Sequence, residues 1–132
     1  MTVRFECTQC GDCCRFGPDA VVWVSREEVE RIANHLGVDV AAVAARTRRD
    51  EGRRTIIPDA DGICPFLDRQ TNACTVYAAR PDQCRSYPFW PSLVLFPASW
   101  EAEKQRCEGI GRGELISPEE ITRRLRDAPH GL

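Results

Sequence analysis

Four of the chain's eight cysteines fall within one short run, Cys7-Thr8-Gln9-Cys10-Gly11-Asp12-Cys13-Cys14. A core cysteine acts as a small apolar residue and needs no partner at a fixed spacing. A metal does need one, because two residues between thiolates let a tight turn aim both sulfurs at one centre. Gly11, directly after the second cysteine, can take the positive φ that turns the backbone toward that centre. The adjacent pair Cys13-Cys14 adds a constraint: neighbouring side chains point to opposite faces of a strand and diverge by about 100° on a helix. One mononuclear ion rarely takes both. A bridge between them would be strained, since consecutive Cα atoms lie about 3.8 Å apart and an ordinary disulfide needs about 4.4 Å or more. The pair serves two centres or a cluster, or one member packs without ligating.

Cys64, Cys74, Cys84 and Cys107 complete the set. Eight thiolates can fill two four-thiolate sites, or one site with thiols left over for redox or structural roles; zinc and iron-sulfur both accept four. Cys7, Cys10 and Cys13 have the three-cysteine spacing of a bacterial ferredoxin, and Cys64-Pro65 can supply a remote Cys-Pro ligand, but the ferredoxin's own fourth cysteine is absent. Cys7-x-x-Cys10-Gly11 is one zinc knuckle, yet the second knuckle of a zinc ribbon is missing. Three successively spaced cysteines are harder to use at a mononuclear site, which tilts the reading slightly toward an iron-sulfur cluster over zinc. His35 lies off the apolar stripe of its helix and His130 in the tail, and the carboxylates are scattered. No nucleophile with its base is named by these residues. Binding, with electron or metal transfer to a partner, therefore ranks ahead of the alternatives, a metal-dependent enzyme with an open coordination position or a zinc-stabilised interaction module.

At 132 residues the chain reads as one domain over residues 1–132. Its hydrophobic content of 42%, charged content of 29% and net charge of −2 are ordinary for a soluble protein and give no electrostatic case for nucleic acid or membrane. Eight cysteines in 132 residues fall below the roughly 8–10% that marks a disulfide scaffold. Residues 1–7 carry no apolar run of a signal peptide and no later stretch is long enough to span a membrane, so the expected compartment is the cytoplasm, where thiols stay reduced and favour metal.

The elements that must position the cysteines follow from local signals. Residues 15–19 read as a turn, and Val21-Val22-Trp23-Val24 as a buried strand. Ser25 and Glu28 form a capping box for a helix packing through Val29, Ile32, Ala33 and Leu36 and stopped by Gly37. Asp39 caps a second helix running to about Thr47. Five arginines between residues 46 and 54, interleaved with Asp50 and Glu51, read as a solvated loop. Thr55 to Ile57 and Ile63 to Leu67 are expected to form a hairpin, and Ala73 to Tyr77 a further strand. Pro81 opens a short helix carrying Cys84 and Arg85, ended by Pro88. Residues 88–96 are expected to be mostly core, and Gly109, Gly111 and Gly113 to let backbone approach the cysteine centre. Ser117-Pro118-Glu119-Glu120 begins a terminal helix over about 117–127, packing through Ile121 and Leu125.

The order of these features resembles the YkgJ-like cysteine-cluster proteins, a zinc- or iron-chelating domain with a Cys-x-x-Cys-x-x-Cys-Cys signature. The resemblance rests on Cys7 to Arg15, Gly62 to Asp68, Cys74 to Tyr77, Arg80-Pro81-x-x-Cys84-Arg85-x-x-Pro88 and Cys107-x-Gly109-Ile110-Gly111, within a core of about residues 5–113. It implies metal binding by Cys7, Cys10, Cys13, Cys14, Cys64, Cys74, Cys84 and Cys107, with the metal left open. Arg15, Arg80 and Arg85 stand beside cysteines and are candidates to offset thiolate charge. Tyr77, Tyr87, Phe89 and Trp90 are candidates to shield a centre from water. The expected fold is α+β: short helices and hairpin strands organised around cysteine-ligated metal.

Overall fold

The first strand pair joins the two ends of the cysteine-bearing region: β1 (Arg4–Phe5) runs antiparallel to β5 (Ile110–Leu115). The computed structural model describes residues 3–15, 21–129 and 132. Residues 16–19 of the expected turn, and His130, lie outside these. A second antiparallel sheet has the order β2 (Trp23–Val24), β4 (Arg53–Ile56), β3 (Thr47–Asp50). Helices α1 (Arg26–Leu36) and α2 (Val40–Ala44) lie between β2 and β3 in the chain. Short helices α3 (Asp82–Ser86), α4 (Pro91–Val94) and α5 (Pro97–Glu103) precede β5, and α6 (Pro118–Asp127) follows it. The fold is α+β.

Helix α1 forms where the sequence places it. Ser25 accepts from the Glu28 amide, Glu28 accepts from the Ser25 amide, and Gly37 closes the helix at φ 68°. The other carboxylate oxygen of Glu28 accepts the Asp82 amide at 2.5 Å, so one side chain caps both α1 and α3. At α6 the capping is one-way: Ser117 accepts from Glu120, whose carboxylate pairs with Arg123 and Arg124 instead.

Several expectations are corrected. The arginine-rich stretch is the β3–β4 hairpin, not a loop, because Glu51 and Gly52 both take positive φ (50° and 79°) and close a two-residue turn. Helix α2 accordingly ends at Ala44, leaving Thr47 to the strand, and Asp39 makes no side-chain cap bond. Thr55 to Ile57 does not pair with residues 63–67: β4 is the central strand of its sheet. The backbone of the latter segment is spent elsewhere, the Cys64 amide donating to the Cys14 carbonyl at 2.7 Å and the Ile63 carbonyl accepting from Asp59 at 2.8 Å. The expected strand over 73–77 reduces to a bridge between Leu67 and Cys74, followed by a 3₁₀ turn at Tyr77–Ala79. Val21, Leu95 and Phe96, expected inside, are exposed.

Two apolar clusters form. One gathers Val22, Val24, Val29, Ile32, Val43, Ile56, Phe66, Leu67 and Val76 with Cys14 and Cys64. The other holds Val3, Phe89, Val94, Trp100 and Ile110 with Cys107. Gln83, buried on α3, ties α3 to β2: its side-chain amide donates to the Val21 carbonyl at 2.7 Å and its oxygen accepts the Trp23 amide at 2.9 Å. Replacing it with Met keeps the volume but strands both backbone groups, so Gln83→Met is expected to lose about 1–3 kcal/mol in chemical denaturation; an unchanged midpoint would show that this bridge does not hold Cys84's helix.

Candidate metal centre

The amino-terminal loop is shaped by steric requirements around its cysteines. Gly11 sits at φ 82°, and a Cβ there would stand 2.6 Å from the Asn72 carbonyl oxygen. The Asn72 side chain donates to the Cys10 carbonyl and accepts from Arg15 at 2.7 Å. Asp12–Cys14 then coils into a 3₁₀ turn, with the Cys14 amide donating to Gly11 at 3.0 Å. At the other end the Glu6 amide donates to the Gly109 carbonyl at 3.1 Å, and the Thr8 hydroxyl donates to Glu108 at 2.5 Å. A side chain at Gly109 would collide with the Glu6 carbonyl oxygen. The Cys7 loop is thereby seated against the Cys107 segment.

All eight cysteines line a single cavity of about 120 Å³. All eight are free thiols; Cys7 and Cys13 are exposed, Cys14, Cys64 and Cys107 buried, and Cys10, Cys74 and Cys84 lie between. The cavity is bounded by both apolar clusters, through Ile56, Phe66 and Val76 on one side and Phe5 and Tyr87 on the other. Among the described residues its wall carries one carboxylate, Asp12, and no imidazole. His35 stands exposed on α1. The thiols face a common space without meeting at a point: among the described residues, no three cysteine, histidine or carboxylate side chains form a ready-made ligand set.

Cys14 keeps its proton, held by hydrogen bonds to Cys13, Cys64 and Cys74 and by burial. The same bond from Cys14 lowers Cys13 and Cys74 to about 7, with the Arg80 guanidinium adding in that direction, and lowers Cys64. Burial pushes Cys84 up, and the neighbouring Cys64, Cys13 and Cys74 charges add to it. Cys107 is raised first by burial and then by the charges of Cys10 and Cys13. A hydrogen bond to Cys7 raises the Tyr77 phenol.

Of the other side chains singled out in the sequence, Arg80, Arg85, Tyr77 and Tyr87 line the cavity. Arg80 stacks on Tyr77, its guanidinium carbon 3.9 Å from the ring centre, and donates to the Tyr77 carbonyl at 2.9 Å. Arg85 also pairs with Asp82. Arg15 turns to Asn72 and is not on the wall, Phe89 packs in the second core against Phe5 and Trp100, and Trp90 packs on Tyr87. Asn72 and Gln83 were not singled out. Asn72 had one signal, its place in a turn where positive φ favours asparagine (φ 62°); Gln83 had none.

Gly11→Ala is expected to destabilise the protein by at least about 1–2 kcal/mol from its left-handed backbone alone, with the Asn72 contact adding to that loss. Hydrogen exchange of residues 7–14 should accelerate; unchanged exchange and stability would contradict the role given to this glycine.

The family described as "CxxCxxCC: Putative zinc- or iron-chelating domain" matches residues 6–108. An uncharacterized protein of Methanocaldococcus jannaschii is 32% identical over 88 residues, covering 66% of this chain and 46% of that protein. The chain thus spans less than half the length of that curated relative. No solved structure matches significantly.

Proposed function

The chain belongs to the CxxCxxCC family of zinc- or iron-chelating domains, and from that premise we propose that it holds an iron-sulfur cluster through its clustered cysteines and passes electrons or metal to a partner. The observation that carries the reading is the gathering of all eight thiols around one cavity. The donor chemistry fits: thiolates suit zinc and iron-sulfur centres alike, and among the described residues the rest of the wall carries a single carboxylate, Asp12, and no imidazole.

A polynuclear centre accommodates what a mononuclear one does not. Cys13 and Cys14 are adjacent and both line the cavity, a geometry that one tetrahedral ion rarely accepts but that several metal atoms can divide. Cys7, Cys10, Cys13, Cys14, Cys64, Cys74, Cys84 and Cys107 are the proposed ligands. Because the thiols do not already meet at a point, ligation requires their rotation and a small closing of the loop at 7–14. Arg80 and Arg85 on the wall offset thiolate charge, and Tyr77 lines the same wall with Cys7. When bound, such a centre supplies one-electron chemistry at a potential set by its charge, hydrogen bonds and exposure. The exposure of Cys7 and Cys13 supports a transfer edge at the amino-terminal loop.

Zinc is the second reading, favoured by the Cys7-x-x-Cys10-Gly11 turn with its left-handed glycine. An enzyme finds less support, since apart from the proposed ligands the wall offers one carboxylate, Asp12, and no imidazole among the described residues.

Protein purified without oxygen should contain iron with matching acid-labile sulfide and show broad visible absorption. Colourless protein with stoichiometric zinc would replace the cluster with a mononuclear site. Cys64→Ser should lower bound metal, whereas a substitution at exposed His35 should not; equal metal content in both variants would remove the cavity as the site.

A further inference from the structure

The β3–β4 hairpin carries a feature the metal centre does not use. Strand register sets Arg49 directly opposite Arg54, so two like charges face each other across the strands, an arrangement that destabilises a sheet. Among the described residues, Arg46, Arg48, Arg49, Arg53 and Arg54 make no salt bridge, and neither do the interleaved Asp50 and Glu51. Among the described residues, the Arg54 side chain donates only to the Thr47 hydroxyl, at 3.1 Å.

Three of these arginines, Arg49, Arg53 and Arg54, border a groove of about 650 Å³. Arg49, Arg53 and Arg54 form a basic rim, and Trp23, Val40 and Ala44 give it an apolar lining, with Val40 nearly half exposed at 46%. Three carboxylates also line the groove, but each is engaged locally. Glu28 caps α1 and α3, Asp82 pairs with Arg85, and Asp127 pairs with Arg123 at 3.0 Å. The charge left for a partner is therefore positive, beside an apolar surface.

We infer that this groove docks an acidic protein segment that also carries apolar side chains. Carboxylates of the segment would lie between Arg49 and Arg54 and relieve their repulsion, while its apolar residues would cover Val40 and Ala44. Nucleic acid fits less well. Among the described residues Trp23 is the one aromatic lining the groove, and the Arg53 guanidinium lies over its ring at 3.9 Å, occupying a face a base would stack on.

The test uses the full chain and a short labelled peptide of leucine and glutamate, followed by fluorescence anisotropy, with a single-stranded oligothymidylate as the competing probe. Arg49→Gln with Arg54→Gln should weaken peptide binding by about tenfold or more, high salt should weaken it likewise, and Arg112→Gln on β5 should leave it unchanged. The double variant should melt no lower than the parent, which separates lost binding from lost folding. No measurable peptide binding, equal affinity in the double variant, or tighter binding of the oligothymidylate would overturn the inference.

Discussion

Thiols gathered around a small cavity are limited by their own charge. Two unit charges about 4 Å apart at an effective dielectric near 20 repel by about 4 kcal/mol, so the wall cannot carry many thiolates unaided. Its thiol neighbours and burial push Cys14 well above the ordinary thiol range, and burial raises Cys84 and Cys107, so these three favour the neutral form. Arg80 and Arg85 supply the positive charge on the wall. A bound metal removes the limit, because it drives coordinating thiols to ionise and balances their charge.

The same cavity lies where the two apolar clusters meet. Cys14 and Cys64 belong to the first and Cys107 to the second. Near the cavity the amino-terminal loop is tied to the Cys107 segment by Glu6 to Gly109 and Thr8 to Glu108, and to the segment after Cys64 by Asn72 to Cys10. In this account a metal centre is a core element: ligands from residue 7 to residue 107 fasten segments distant in sequence, and their ligation energy is folding energy. The short helices α3, α4 and α5 are too brief to be stable alone, and their order depends on such long-range ties.

What was legible in the sequence was what is local. The α1 capping box and its glycine stop, the left-handed Gly11, the proline-initiated α6 and the cysteine spacings each depend on residues a few positions apart. What was not legible depends on distant partners. Residues 63–67 have a strand-like composition, yet their amides and carbonyls bond to Cys14 and to a neighbouring turn. The arginine hairpin was hidden because Glu51-Gly52 closes it in place of the Asn-Gly that announces such turns. Asn72 bonds across the fold to Cys10 and Arg15, and Gln83 across it to β2, connections that no spacing encodes.

The central claim is that metal joins the two cores through this cavity. Hydrogen exchange on metal-loaded and chelator-stripped protein, resolved by segment, tests it most directly. Stripping metal is expected to deprotect residues 7–14, the segments around Cys64, Cys74 and Cys84, and the segment around Cys107 together, while α1 and the β3–β4 hairpin keep most of their protection. Identical exchange in the two forms, or deprotection confined to one segment, would contradict it.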